Sequence, residues 1–291
     1  MNQPIKILLQ TTIATTPDDW SIARFGRLAT FLREQRGQDG QLLFEVTARD
    51  RDAPGAPDAV LSRLDQTDFD QMWLFAVDVG DGLTPDDCRG ISNFRRRGRG
   101  LMVTRDHMDL GCSICALEEV GAAHHFHSKN VDSNSPAERD DPYTTTISWP
   151  NFHSGANGDY QTIQVKGAMH PVLSNPFSPT GAIRFLPAHP HEGAVSAPEG
   201  SDARVIATGT SKATGRTFNI AVAFESGAGR GRAIAESTFH HFADYNWDTR
   251  LGAPSFVSEP PGDALLREPA AMAETQRYVR NMALWLAGKD L

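Results

Sequence analysis

The side chains of this chain that can move protons or hold a metal fall into a few short runs. One run, Thr238-Phe-His240-His241-Phe-Ala-Asp244-Tyr-Asn-Trp-Asp248, carries two adjacent histidines and two aspartates. Another, Thr104-Arg105-Asp106-His107-Met-Asp109, sets an acid beside an imidazole. Imidazole titrates near neutrality, and a neighbouring carboxylate can fix its tautomer, so Asp106, His107 and His240 are candidates for acid–base work. Asp106, His107 and Asp109 also suit a metal. The competing reading is that Asp106 caps the next helix and His107 is a satisfied buried polar group. Two further runs, His124-His125-Phe126-His127 and His189-Pro190-His191-Glu192, look like metal motifs. In extended chain the x-spacing puts His125 with His127, and His189 with His191, on one face. Imidazole and carboxylate ligands suit a divalent metal, whether zinc, iron or manganese. Such His-rich runs also occur as solvated loops. His153 and His170 read as structural.

These residues must be positioned by strand ends. Ile5 to Leu9 reads as a buried strand, and a helix opened by Pro17-Asp18-Asp19 follows, with Ile22, Phe25, Leu28, Ala29 and Leu32 at helical spacing. Leu42 to Val46 is a second strand, Ala59 to Leu64 a short helix, and Phe69 to Val77 a third strand. Asp78, Gly80, Asp81 and Gly82 lie just beyond it as a candidate ligand-binding turn. Its glycines permit a tight turn, and its two aspartates would favour a cation over an anion. Thr84-Pro85-Asp86-Asp87 caps the next helix, which runs to about Arg97, and Leu101 to Thr104 is the fourth strand. Such alternation predicts a parallel, doubly wound sheet with ligands beyond the strands' carboxyl ends. A loop-rich insertion covers about 121–160. Thr162 to Val165, Ala182 to Leu186, Val205 to Gly209 and Phe218 to Phe224 read as antiparallel additions. Ala233 to Glu236 is the last core strand, and a helix over about Ala270 to Leu286 closes the chain.

With 291 residues, 40% hydrophobic and 22% charged, the chain fits one α/β domain over 1–291. A net charge of −8 argues against nucleic acid as partner. The Arg95-Arg96-Arg97-Gly-Arg99 cluster reads as the basic end of a helix. No run is apolar enough to cross a membrane, and no secretory signal opens the chain, so a cytoplasmic location is expected. Three cysteines make no disulfide framework. Cys112-Ser-Ile-Cys115 has redox-motif spacing but reads better as one face of a helix.

Several of these runs together resemble the class I glutamine amidotransferase-like superfamily, and within it the ThuA-like (trehalose-utilisation-like) group. The residues concerned are Ile5-Lys-Ile-Leu-Leu, Asp68-Phe-Asp70-Gln-Met-Trp-Leu-Phe leading to Gly80 and Gly82, Gly98-Arg-Gly-Leu-Met-Val-Thr-Arg105-Asp106-His107, Met169-His170-Pro171, and Gly229-Arg-Gly-Arg232. The resemblance implies a flavodoxin-like, mostly parallel sheet with antiparallel additions. It also implies a base histidine just after the last core strand, which favours His240 over His241 as the catalytic member and leaves His241 as a ligand-binding candidate. Amidotransferases carry a Cys nucleophile on the turn that here reads Arg105-Asp106-His107, so glutaminase chemistry is excluded. Two expectations remain. One is a hydrolase or isomerase, metal-assisted or not, acting on a polar small molecule such as a sugar derivative. The other is a noncatalytic ligand-binding or assembly protein. A homo-oligomer is compatible with either.

Overall fold

The computed structural model describes residues 3–132, 140, 144, 146–227 and 229–289. In chain order its strands are β1 (Ile5–Ala14), β2 (Phe44–Arg51), β3 (Gln71–Phe75), β4 (Gly100–Thr104), β5 (His124–His125), β6 (Tyr160–Thr162), β7 (Gln164–Val165), β8 (Phe185–Pro187), β9 (Ala194–Val195), β10 (Ala203–Thr210), β11 (Thr217–Phe224) and β12 (Ala233–Glu236). The α-helices are α1 (Gly26–Glu34), α2 (Pro85–Arg96), α3 (Glu118–Ala122), α4 (Asp244–Trp247), α5 (Ala264–Arg267) and α6 (Pro269–Leu286).

Eight strands form the main sheet in the order β2-β1-β3-β4-β12-β11-β10-β7. The first five run parallel, and β11, β10 and β7 add antiparallel. The parallel part has the 2-1-3-4-5 order of flavodoxin-like sheets. Both faces are covered because side chains alternate along each strand. Ile7, Leu9, Trp73, Phe75 and Met102 pack with α1 and α6 on one face. Leu8, Met72, Leu74, Leu101 and Val103 pack with Ile91 and Phe94 of α2 on the other. Each such side chain stabilises the fold by roughly 1.5–3 kcal/mol. At Gly100 a Cβ would lie 2.6 Å from the Leu286 carbonyl oxygen, so glycine lets the end of α6 approach β4.

Several boundaries differ from the sequence expectation. Pro17 to Asp19 does not start the helix: Asp18 adopts φ 61° and accepts hydrogen bonds from Ser255, while the helical path begins as a 3-10 turn at Ile22–Phe25 and continues as α1. The helix expected from Ala59 is a 3-10 turn over Leu61–Gln66. The strand expected over 162–165 breaks at Ile163, with β6 pairing to β8 and β7 to β10. Thr84 does cap α2, in a reciprocal box with Asp87. The arginine cluster is absorbed by acids: Arg95 meets Glu119, Arg96 Glu118, Arg97 Asp65 and Arg99 Asp70. Among the described residues, 126–159 contain no helix or named strand, and no helix is long and apolar enough to cross a membrane.

Candidate functional site

The site is built where β4 and β12 end side by side. Thr104 pairs with Glu236 in parallel register, so the next residues of both strands emerge together. The Phe239 amide donates to the Arg105 carbonyl (2.9 Å), and the Thr238 hydroxyl donates to Asp106 Oδ1 (3.2 Å). Thr238 Oγ1 also accepts from the His240 amide (3.2 Å), capping a 3-10 turn over Phe239–His241. In such a turn successive side chains leave about 120° apart. His240 therefore faces Asp106, whereas His241 turns below the site.

The third component is the loop after β8. His189 projects from it toward the same carboxylate and His191 toward Glu259, across a strand end whose spacing requires Gly193. A Cβ there would lie 2.1 Å from Arg105 Nη1 and 2.6 Å from the Asp106 carbonyl oxygen. The result is one cluster around buried Asp106. His107 Nδ1 lies 2.8 Å from Asp106 Oδ2, His189 Nε2 3.2 Å from Oδ1, and His240 Nε2 3.6 Å from Oδ2. The His189 and His240 rings stack at 3.5 Å with planes 9° apart. Trp20 meets His240 edge-on at 4.7 Å, and Phe239 covers its other flank. His191 sits 5.2 Å from His107 and 5.3 Å from His189 by ring centroids, with Nε2 3.2 Å from Glu259 Oε1.

Two asparagines set the tautomers. His189 Nδ1 is 2.9 Å from Asn157 Oδ1, and His240 Nδ1 is 2.7 Å from Asn246 Oδ1. Asn246 Nδ2 donates to Asn157 Oδ1 (2.7 Å) and to the Ala188 carbonyl (3.1 Å), which fixes the orientation of both amides. Each oxygen must then accept from an Nδ1–H, which leaves each Nε2 on the Asp106 side. Burial holds the His189 imidazole well below its usual range. Burial opposes the charge on Asp106, but contact with His189, His107 and His240 outweighs it and keeps the carboxyl ionised.

Beneath this cluster runs a second, fully buried chain. His241 lies with Nδ1 3.1 Å from Glu236 Oε2 and Nε2 3.5 Å from Glu192 Oε2. Ser237 Oγ donates to Glu192 Oε2 (2.8 Å), Gln161 donates to Glu192 Oε1, and Tyr278 donates to Glu236. Burial penalises the His241 cation, yet the two carboxylates push its pKa up to about 10. This chain ties the His189/His191 loop to the His240 turn and to α6.

The structure thus brings together Asp106, His107, His189, His191 and His240. It does not bring in the other candidates. His241 is a ligand-binding candidate that faces the interior. His125 is engaged by Asn130 O and Ser196 Oγ, and exposed His127 lies 3.4 Å from Ser148 Oγ, so neither joins a metal-type group among the described residues. Asp78 is buried and accepts from Ser113 Oγ (2.9 Å) and the Gly80 amide (2.8 Å), closing its own turn, and Asp81 is exposed. Gly80 and Gly82 shape that turn, away from the histidines. Asp109 accepts from the Ser128 amide, Asp244 from the amides of Gly26 and Arg27, and Asp248 binds Arg27 and Arg250. His170 accepts from the Val172 amide as a structural group. Cys112 and Cys115 lie in a 3-10 turn, and burial pushes the Cys115 thiol up to about 11, so it is a poor nucleophile. Sequence reasoning missed Asn157, Thr238, Asn246 and Glu259. Single amides and hydroxyls in loops give no spacing signal.

No protein-family model matches the sequence, and no curated protein matches it. Solved structures do match. A putative ThuA-like protein from Parabacteroides merdae ATCC 43184 aligns with a TM-score of 0.53 and 15% identity, over 99% of this chain and 92% of that one. The N-terminal domain of mmIFT52 aligns with a TM-score of 0.56 and 12% identity, over 98% and 99% of the two chains. The chain therefore shares an α/β, flavodoxin-like fold with a putative ThuA-like protein, as its sequence resemblance implied.

Proposed function

We propose that this chain is an enzyme of the hydrolase or isomerase type, with His107 as general acid–base and Asp106 as the carboxylate that orients it. The observation that carries this reading is the Asp106–His107 pair at a strand end, 2.8 Å apart. Donation from Nδ1–H to the carboxylate leaves His107 Nε2 free to take a proton from a bound molecule. Its side chain is 20% exposed, against 3% for His240, so His107 is where the cluster meets solvent. The substrate is a small polar molecule, for which a sugar derivative is the class that the fold resemblance suggests. Glutaminase chemistry has no support, because the turn after β4 lacks a thiol.

The test is turnover of a panel of sugar lactones, acylated sugars and keto-sugars, followed by proton NMR. Activity should fall about 10²–10⁴-fold in His107→Gln, as expected for loss of a positioned acid–base group, and persist in His125→Ala. Turnover unaffected by His107→Gln and Asp106→Asn would overturn the assignment. Binding without turnover across the panel would favour a noncatalytic ligand-binding protein.

A further inference from the structure

Asp106 can orient His107 only while the turn that carries them keeps its shape, and that turn contains a strained residue. The Leu110 amide donates to the His107 carbonyl (3.0 Å), closing a turn in which Met108 takes the first central position with φ 45°. Positive φ suits glycine there, and a residue with a Cβ adopts it only when its surroundings enforce it. Backbone enforced in this way clusters at working sites. Part of the enforcement comes from Arg105, three residues earlier. Its Nη2 donates to the Met108 carbonyl, which also accepts from the His127 amide (3.4 Å), while the Met108 amide donates to the Pro150 carbonyl (3.3 Å). Met108 directly follows His107, so a return to ordinary negative φ would redirect the chain there and swing the imidazole off Asp106, 2.8 Å away.

Arg105 fills this place at an energetic cost. Its side chain is fully buried, and Nε and Nη1 have no hydrogen-bond partner among the described residues. Burial pushes the guanidinium down to about 9. The guanidinium lies over the Phe126 ring at 4.0 Å, and Gly193 leaves it room, since a Cβ at 193 would stand 2.1 Å from Nη1. An apolar side chain would fill the same space without burying a cation. It would lack a donor for the Met108 carbonyl. We propose that Arg105 is a positioning residue for His107: its guanidinium fixes the left-handed backbone at Met108, and that backbone keeps His107 Nδ1 on Asp106. The proposal rests on the reading of His107 as the acid–base group and adds the residue that aims it.

The test compares Arg105→Met, Met108→Gly and the double variant by long-range proton–nitrogen NMR of the histidines at alkaline pH, and by turnover of the sugar panel. The wild type and Met108→Gly should show His107 as a single Nδ1–H tautomer. Arg105→Met should average it between the two tautomers and lower kcat roughly 10–100-fold at similar KM, as for a misplaced catalytic group. Glycine adopts the left-handed backbone without a Cβ penalty, so Met108→Gly should restore the single tautomer to Arg105→Met. A packing role alone gives no such rescue. A wild type without the single tautomer, an Arg105→Met variant that keeps it, or a loss that Met108→Gly does not restore would overturn the proposal. So would a double variant that thermal melts show to be unfolded, whereas an unfolded Arg105→Met recovered by Met108→Gly would support it. Loss and rescue of the tautomer without turnover by any of the proteins would leave the proposal standing and sink the acid–base reading. Turnover that falls in His107→Gln but not in Arg105→Met would do the reverse.

Discussion

Replacing Asn246 by Leu removes one amide at the centre of the cluster while keeping the branched outline of the side chain. Asn246 is fully buried and accepts from His240 Nδ1–H at 2.7 Å, while donating to Asn157 Oδ1 at 2.7 Å and to the Ala188 carbonyl at 3.1 Å. Asn157 Oδ1 keeps His189 as a partner after the change. The His240 Nδ1–H and the Ala188 carbonyl do not keep theirs, and a stranded buried group costs about 1–3 kcal/mol. His240 can relieve its share by moving its proton to Nε2, toward the Asp106 oxygen at 3.6 Å. The net destabilisation is then that of the Ala188 carbonyl, about 2 kcal/mol, or about 4 °C in Tm at roughly 2 °C per kcal/mol for a chain of this size. The assay is calorimetry paired with long-range proton–nitrogen NMR of the histidine side chains. The expected result is a lower Tm together with a His240 signal switched from the Nδ1–H to the Nε2–H tautomer. Asn246→Asp, which keeps the acceptor, should retain the Nδ1–H tautomer. A Leu variant melting within about 1 °C of the wild type with an unchanged tautomer would refute the reasoning.

Two further outcomes test the frame around the site. Gly193→Ala places a methyl against Arg105 and the Asp106 carbonyl and should destabilise by about 2 kcal/mol or more, seen in denaturant melts; an unchanged midpoint would show that the loop has room. Asp58 is held by Arg49 and by the amides of Leu61, Asp52 and Val60, which outweigh its burial and lower its pKa to about 2. A depressed folded pKa contributes stability that is full above the unfolded value and lost as pH falls through the folded one. Asp58 should therefore supply about 2 kcal/mol above pH 4 that disappears toward pH 2, and Asp58→Asn should flatten that part of the acid-unfolding curve. An equally steep curve in the variant would rule out this source.

The parallel half of the sheet was legible because its signal is local. Short apolar runs such as Met72 to Phe75 alternate with a helix whose cap, Thr84 with Asp87, is written in four residues. The position of the site was legible for the same reason: strands ending in Asp106-His107 and Ser237-Thr238 deliver those residues wherever the sheet is parallel. The choice between His240 and His241 was not, because it turns on the 3-10 turn that Thr238 caps, and a strand-like reading gives no such rotation. The two His-x-His runs looked alike in sequence. Only tertiary packing separates them: the loop after β8 is pulled over the strand ends by Glu192 and His241, whereas His125 lies in β5, paired to β9 at the margin. Asn157 and Asn246 act across a separation of 89 residues and carry no pattern at all.

The most direct measurement is turnover of sugar lactones, acylated sugars and keto-sugars by the wild type beside His107→Gln and Asp106→Asn, followed by proton NMR. The expected result is product formation by the wild type that falls about 10²–10⁴-fold in His107→Gln and is also lowered in Asp106→Asn. Turnover that neither substitution lowers would contradict the account.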